Sequence, residues 1–133
     1  MTNFIPIFPL GIVVYPGESL NLHIFEPRYK QLISECHSQN KQFGIPTMIE
    51  DRLQDYGSLV TILEISKMHD NGEMDIKTQG SRVFRILEVI KDVPDKLYSG
   101  AIVNYPETNE EGNIELMKKV MNSIRELHKL LKV

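Results

Sequence analysis

The sequence contains one cysteine, no tryptophan and no apolar run long enough to cross a bilayer. The single cysteine, Cys36, excludes an internal disulfide framework and is typical of a reducing compartment. The most apolar stretch, residues 4–15, is interrupted by Pro6, Pro9 and Gly11 and is shorter than the roughly 20 apolar residues that a spanning helix needs. No Lys or Arg precedes it, as one would in a secretory signal. We therefore expect a cytoplasmic protein with no membrane partner.

An excess of basic charge is also lacking. The 133 residues include 15 Lys and Arg against 18 Asp and Glu, which gives a formal net charge of -3. Dedicated nucleic-acid binders normally carry a basic patch or stripe, so this balance argues against a nucleic-acid partner. The length is typical of one domain, and the 41% hydrophobic and 25% charged residues are typical of a globular chain.

Common catalytic and cofactor motifs are missing as well. The sequence has no phosphate-binding or dinucleotide-binding glycine loop, no H-E-x-x-H, no paired cysteines for zinc and no G-x-S-x-G. Cys36 is followed by His37, and a metal or nucleophile site there would need His23 or His69 as a further group. A cysteine on an apolar helix face is usually a small buried hydrophobe. We expect no catalytic residue, metal or cofactor; an enzyme would require a deep polar pocket that gathers His23, Cys36 or His69.

The first 25 residues predict two strands joined by a tight turn. Residues 4–10 are apolar but contain two prolines, which confines them to an edge strand or an interrupted strand. Pro16 and Gly17 predict a type II turn, because proline presets φ at the second position and glycine accepts a positive φ at the third. Residues 19–25 alternate between apolar and polar side chains, as a half-buried strand does.

A helix is predicted to begin at Pro27, since the first helical position tolerates the missing N–H of proline. The helix is expected to run for about three turns, a common length, and to end in the polar stretch 37–40. Its apolar positions fall on one face, which we expect to pack on the sheet: Tyr29, Leu32, Ile33 and Cys36.

Short strands and turn residues dominate the rest of the first 107 residues, which predicts a barrel or a sandwich. Asn71-Gly72 predicts a type I′ hairpin turn, because both central residues of that turn need a positive φ. Gly80-Ser81 is expected to interrupt the strand that returns from this hairpin. The predicted strands are 43–49, 59–68, 74–78, 83–90 and 97–105, with a charged loop at 50–56.

The last segment has a different pattern. Thr108 and Glu111 have capping-box spacing, and apolar residues then recur at helical spacing from Ile114 to Leu131. We divide the chain into a β domain, residues 1–107, and a C-terminal helix, residues 108–133, that begins a helical subdomain. If the apolar face of this helix does not fold back over the sheet, it predicts a homo-oligomer or a partner protein.

A set of motifs in a fixed order resembles the N-terminal, substrate-binding domain of Lon proteases. In chain order, the motifs are Ile-Pro-Ile-Phe-Pro-Leu from Ile5, the runs Val13 to Gly17 and Leu20 to Tyr29, Phe43-Gly44-Ile45, Gly57-Ser58-Leu59, Gly80 to Ile86, and Tyr98 to Val103. The residues that characterise these motifs are Pro16, Gly17, His23, Phe25, Glu26, Pro27, Arg28, Tyr29, Gly80 and Phe84. An additional residue, Val83, departs from the family's Gly-x-x-Arg-Phe pattern. Most of these residues suit a structural role: Tyr29 would anchor the helix, and Arg28 would pair with Glu26 or a backbone carbonyl.

The resemblance implies an α+β, mainly β fold: a PUA-like β pseudo-barrel with one amphipathic helix after the second strand and a C-terminal helix. It also implies a non-catalytic domain that holds unfolded or tagged polypeptides for ATP-dependent proteolysis, because the ATPase and Ser–Lys peptidase of Lon lie in separate segments. The resemblance is also compatible with a separate ATP-dependent protease as a partner protein. The alternative is a PUA-like RNA-binding module, since such folds commonly bind RNA.

Two modes of polypeptide binding are open. A peptide could add a strand to a sheet edge through main-chain hydrogen bonds, or adaptable methionines could accept varied side chains. The candidate peptide contacts are Met48, Tyr56, Met68, Met74 and Leu97.

Overall fold

Six strands and one helix make up the part of the chain that the structure, a computed structural model, describes: residues 2–106 and Asn122. The predicted class, mainly β with one helix after the second strand, is confirmed. The predicted C-terminal helix, 108–133, lies outside the described residues except for Asn122, which accepts a hydrogen bond from the Tyr15 hydroxyl. The elements are β1 (Thr2–Pro6), β2 (Ser19–Ile24), α1 (Pro27–Gln39), β3 (Phe43–Ile49), β4 (Arg52–Met68), β5 (Met74–Ile90) and β6 (Gly100–Asn104).

The strands pair antiparallel in the order β1-β6-β5-β4-β3, and β2 pairs with β5 beside this path. After β1 the chain crosses to the opposite end of the sheet. There the Phe8 N–H donates to the Gly44 carbonyl at 2.8 Å, and the Leu10 N–H donates to the Pro46 carbonyl at 3.2 Å. These bonds connect the segment after β1 to β3 at the far end of the open antiparallel sheet. The apolar run 4–10 is therefore not one regular strand, in agreement with its two prolines.

The turn before β2 agrees with the sequence. The Glu18 N–H donates to the Tyr15 carbonyl at 3.0 Å, and Gly17 has a φ of 88°, as the third residue of a type II turn requires.

The hairpin turn between β4 and β5 is of a different type from the one predicted. Gly72 has a φ of 88° and its N–H donates to the His69 carbonyl at 3.0 Å, but Asn71 does not adopt a positive φ. This is a type I turn followed by a left-handed glycine. The Asn71 Oδ1 accepts the N–H of Glu73 at 3.0 Å, and this local bond stabilises the observed form over type I′.

Two predicted interruptions are wrong. The segment 50–56 is not a loop: Glu50 and Asp51 alone form the turn, with φ values of 49° and 62°, and β4 begins at Arg52. Nor does Gly80-Ser81 end a strand. β5 runs through both residues and is 17 residues long. The register between β4 and β5 shifts here: Leu59 pairs with Arg82 and Val60 with Gly80, so Ser81 is the extra residue of a bulge. Such a bulge bends a strand without ending it.

Helix α1 follows its prediction closely. Pro27 is its first residue, and Asn40 ends it in a left-handed conformation with a φ of 54°. The four predicted apolar residues, Tyr29, Leu32, Ile33 and Cys36, are the buried ones. The Tyr29 ring stacks on Phe8, with 3.9 Å between the ring centroids, so the helix is anchored on the segment that joins the two ends of the sheet. No helix within the described residues has the length and apolarity to cross a membrane.

Candidate functional site

A cleft of about 660 Å³ lies between β1, β4 and the C-terminal end of α1. Its wall combines apolar and aromatic side chains with amides, which suits a ligand that offers both backbone groups and side chains. The lining residues are Asn3, Phe4, Ile5, Pro6, Glu35, Cys36, Gln39, Asn40, Lys41, Gln42, Leu59, Thr61, Tyr98 and Tyr105.

One wall of the cleft is a strand with a free edge. Within the described residues, β1 forms ladder pairs with β6 only. The Ile7 N–H donates to the Ser99 carbonyl at 3.0 Å, and hydrogen-bonded and non-bonded pairs alternate in an antiparallel ladder. The N–H and C=O of Phe4 therefore point away from β6. Phe4 as a residue is 43% exposed, so it is accessible to an added chain.

The loop between β5 and β6 is fastened to α1 beside the cleft. The Lys96 Nζ lies 2.9 Å from the Glu35 carboxylate, the Tyr98 hydroxyl donates to Glu35 at 2.7 Å, and the Leu97 N–H donates to Gln31 Oε1 at 2.7 Å. The hydrogen bond from Lys96, helped by that from Tyr98, lowers the pKa of Glu35. Burial, together with the bond to Glu35, raises the pKa of Tyr98. This side of the cleft is therefore a hydrogen-bonded network that favours the ionised form of Glu35 and the neutral form of Tyr98.

Cys36 borders the cleft but is not placed for nucleophilic chemistry. Its side chain is only 4% exposed, and burial raises the pKa of its thiol to about 11. A nucleophilic cysteine needs the opposite shift. Cys36 therefore acts as a small core residue of α1, as the helical pattern predicted.

Polar side chains on the other surfaces of the cleft are held by one another. Gln42 Nε2 donates to Thr61 Oγ1 at 2.8 Å, and Asn3 Nδ2 donates to the Tyr105 hydroxyl at 3.2 Å. The Arg82 guanidinium lies 3.9 Å from the centroid of the Tyr105 ring. Amides, aromatic rings and an open strand edge can hold an extended chain by hydrogen bonds and apolar contact.

The predicted peptide contacts do not form one surface. Met74 is 2% exposed in the core and is therefore not accessible to a partner. Met48 and Tyr56 are half-buried, whereas Met68 and Leu97 are 59% and 64% exposed. None of the five lines the cleft, although Leu97 lies on the loop beside it. The β1 residues of the cleft were missed, and their only sequence signal was the proline-marked edge strand.

The motif residues mostly support the junction between β2 and α1. Arg28 Nε donates to Glu26 Oε2 at 2.8 Å, the pairing that the sequence suggested. Phe84 is fully buried, but Phe25 is 60% exposed and His23 lies on the surface. The structure does not gather His23, Cys36 and His69, the residues considered for an enzyme site, into one pocket. His23 lies near His69, with 5.5 Å between ring centroids, while Cys36 is in the core.

The fold of the described residues, mainly β with helix α1 after the second strand, is that of Lon N-terminal domains. It matches the crystal structure of a Lon N-terminal domain protein from Xanthomonas campestris with a TM-score of 0.67 and 25% identity, over 92% of this chain and 75% of that one. It also matches the N-terminal domain of a Mycobacterium avium complex Lon protease with a TM-score of 0.63 and 15% identity, over 97% of this chain and 76% of that one. The second likeness concerns the fold alone.

The family model of the ATP-dependent protease La (LON) substrate-binding domain matches residues 5–133. The chain belongs to this family, which confirms the resemblance seen in the ordered motifs.

Proposed function

We propose that this domain binds unfolded or tagged polypeptides for ATP-dependent proteolysis, and that it does so by adding an extended segment to the edge of β1 in the cleft. The observation that carries the proposal is the free edge of β1, with Phe4 directing its N–H and C=O away from β6. The family name supports the class of ligand, and the cleft supplies the space.

Main-chain pairing suits ligands of varied sequence, because every residue except proline offers the same N–H and C=O groups. Amides at the end of α1, on Gln39 and Asn40, line the opposite wall and can meet polar groups of the bound chain. The ring of Phe4, a residue that is 43% exposed, offers a contact to its side chains. No bond is made or broken in this role, so the domain acts as a binding element within proteolysis.

A proline at position 4 tests the proposal. Phe4→Pro removes the outward N–H, whereas the ladder between β1 and β6 does not use that group and edge strands tolerate proline. We expect affinity for a fluorescein-labelled unfolded polypeptide, such as reduced and alkylated α-lactalbumin, to fall about three- to tenfold in fluorescence anisotropy, the effect of one lost hydrogen bond. Phe4→Ala measures the contribution of the ring separately.

The matched control lies on β2, which among the described strands pairs with β5 only. Gly80 N–H donates to the Glu18 carbonyl at 2.8 Å, so by alternation Asn21 of β2 also points its N–H outward. Asn21→Pro should leave binding unchanged. Loss of binding in Asn21→Pro but not in Phe4→Pro would move the site to β2. A wild-type domain that binds no unfolded polypeptide at millimolar concentration would refute the binding function itself.

A further inference from the structure

Four side chains that can bind metal meet at the end of the sheet formed by β2, β4 and β5; we name them the tip cluster: His23, His69, Glu73 and Asp75. His23 Nδ1 lies 2.6 Å from Asp75 Oδ1, and His69 Nε2 lies 3.0 Å from Asp75 Oδ2. The other ring nitrogen of His23, Nε2, lies 2.7 Å from Glu73 Oε1. One atom each from His23, His69 and Asp75 lies within 4.8 Å of the others.

The fold holds these residues in place through backbone pairing. His23 and Asp75 are direct partners in the ladder between β2 and β5, at a non-bonded position where facing side chains are closest. His69 and Glu73 close the hairpin, with the His69 N–H donating to the Glu73 carbonyl at 2.8 Å. The cluster thus rests on strands and a tight turn, and this makes its geometry reproducible.

We propose that His23 Nδ1, His69 Nε2 and the Asp75 carboxylate bind a zinc-class divalent metal ion. Ligands about 2.1 Å from a tetrahedral zinc lie roughly 3.4 Å from one another, so the observed separations need only small side-chain movements. Two imidazoles and one carboxylate favour zinc and its neighbours over magnesium or calcium, which prefer oxygen ligands. Water would take the fourth position.

Glu73 has the position of a residue that orients a metal ligand. With His23 Nδ1 on the ion, its Nε2–H donates to Glu73, the arrangement that fixes the ring and strengthens a histidine ligand. The Asn71 side chain in turn donates to the second oxygen of Glu73.

The environment of the cluster is open enough for an ion to enter. The side chains of His23, His69 and Asp75 are 47%, 31% and 39% exposed. The carboxylates of Asp75 and Glu73 raise the pKa of His23, so a proton competes with the metal at this ring. The sequence pattern indicated no such site because His23 is far along the chain from the other ligands.

Calorimetric titration of the untagged protein with Zn²⁺ tests the proposal. We expect one ion per chain and no heat with Mg²⁺. His69→Gln should weaken Zn²⁺ binding at least tenfold, and the Zn²⁺-dependent rise in Tm seen for the wild type should disappear. Co²⁺ should give the visible absorption of a tetrahedral site in the wild type and lose it in His69→Gln.

The controls separate this site from other zinc-binding groups. His37 is exposed on α1, so His37→Gln should bind Zn²⁺ as the wild type does. Glu73→Gln, a change in a positioning residue, should weaken binding about ten- to 100-fold while the tetrahedral Co²⁺ spectrum is retained. Circular dichroism checks that each variant is folded. Equal Zn²⁺ affinity in the wild type and a folded His69→Gln would overturn the proposal, whatever the outcome of the polypeptide-binding experiment.

Discussion

Gly80 lies where the segment between β1 and β2 meets β5. A Cβ atom at this position would lie 2.3 Å from the Tyr15 carbonyl oxygen and 3.1 Å from Val14 Cγ1. The backbone on both sides is committed, because the Gly17 N–H donates to the Gly80 carbonyl and the Gly80 N–H donates to the Glu18 carbonyl, each at 2.8 Å. A side chain at position 80 has no way to avoid a backbone oxygen, so this glycine serves close approach and does not end the strand.

Gly80→Ala should therefore lower the free energy of unfolding by about 1–3 kcal/mol, the usual effect of forcing extra volume into a packed site. Urea denaturation followed by circular dichroism measures this change. The neighbouring Ser81 is exposed, and Ser81→Ala should stay within about 0.5 kcal/mol of the wild type. An unchanged midpoint for Gly80→Ala would show that the two segments are further apart than described.

At the scale of the elements, hydrogen bonds and an ion pair connect α1 to the loop that precedes β6. Glu35 connects them through Lys96 and Tyr98, and these bonds favour the ionised carboxylate and lower its pKa. A group whose pKa is lower in the folded state stabilises the fold above its unfolded pKa. That stability is lost as the pH falls through the folded value.

Glu35→Gln tests this link. The free energy of unfolding of the wild type should exceed that of the variant by at most about 1 kcal/mol at pH 7, because the pair is partly exposed. The difference should shrink as the pH falls below about 4.3, the usual pKa of a glutamate. Glu88 is exposed on β5, and Glu88→Gln provides the control. A difference that is independent of pH would show that the ionised carboxylate is not the source of the stability.

For the whole molecule, the distribution of charge separates the two functions that the sequence left open. The net charge is -3, and several cations are paired with acids: Arg28 with Glu26, Lys77 with Glu64 and Lys96 with Glu35. RNA binding depends on free basic groups that neutralise phosphates. Strand addition to β1 does not depend on such groups, so the charge pattern favours a polypeptide ligand.

We expect no RNA complex in a gel-shift experiment at physiological salt, and we expect polypeptide binding at the same salt to persist. A basic double-stranded RNA-binding protein serves as the positive control. A complex with RNA whose affinity falls steeply with added salt would reverse the order of the two functions.

Local patterns predicted the features that depend on neighbouring residues. The type II turn at Pro16-Gly17 and the buried face of α1 were correct because φ preferences and the helical period act over a few positions. The predictions of a type I′ turn at 69–72 and of a loop at 50–56 were wrong. In the first, a side-chain bond from Asn71 favoured another turn; in the second, pairing with β3 extended β4 through charged residues.

The sequence alone predicted the mainly β class, the place of helix α1 after the second strand and the resemblance to the Lon substrate-binding domain. Two features became visible only in the fold: within the described residues, β1 presents an unpaired edge to the cleft, and His23 meets His69 and Asp75. The physical reason is distance along the chain. Strand neighbours and facing side chains are set by pairings between segments tens of residues apart, and no local period records which strand lies beside which.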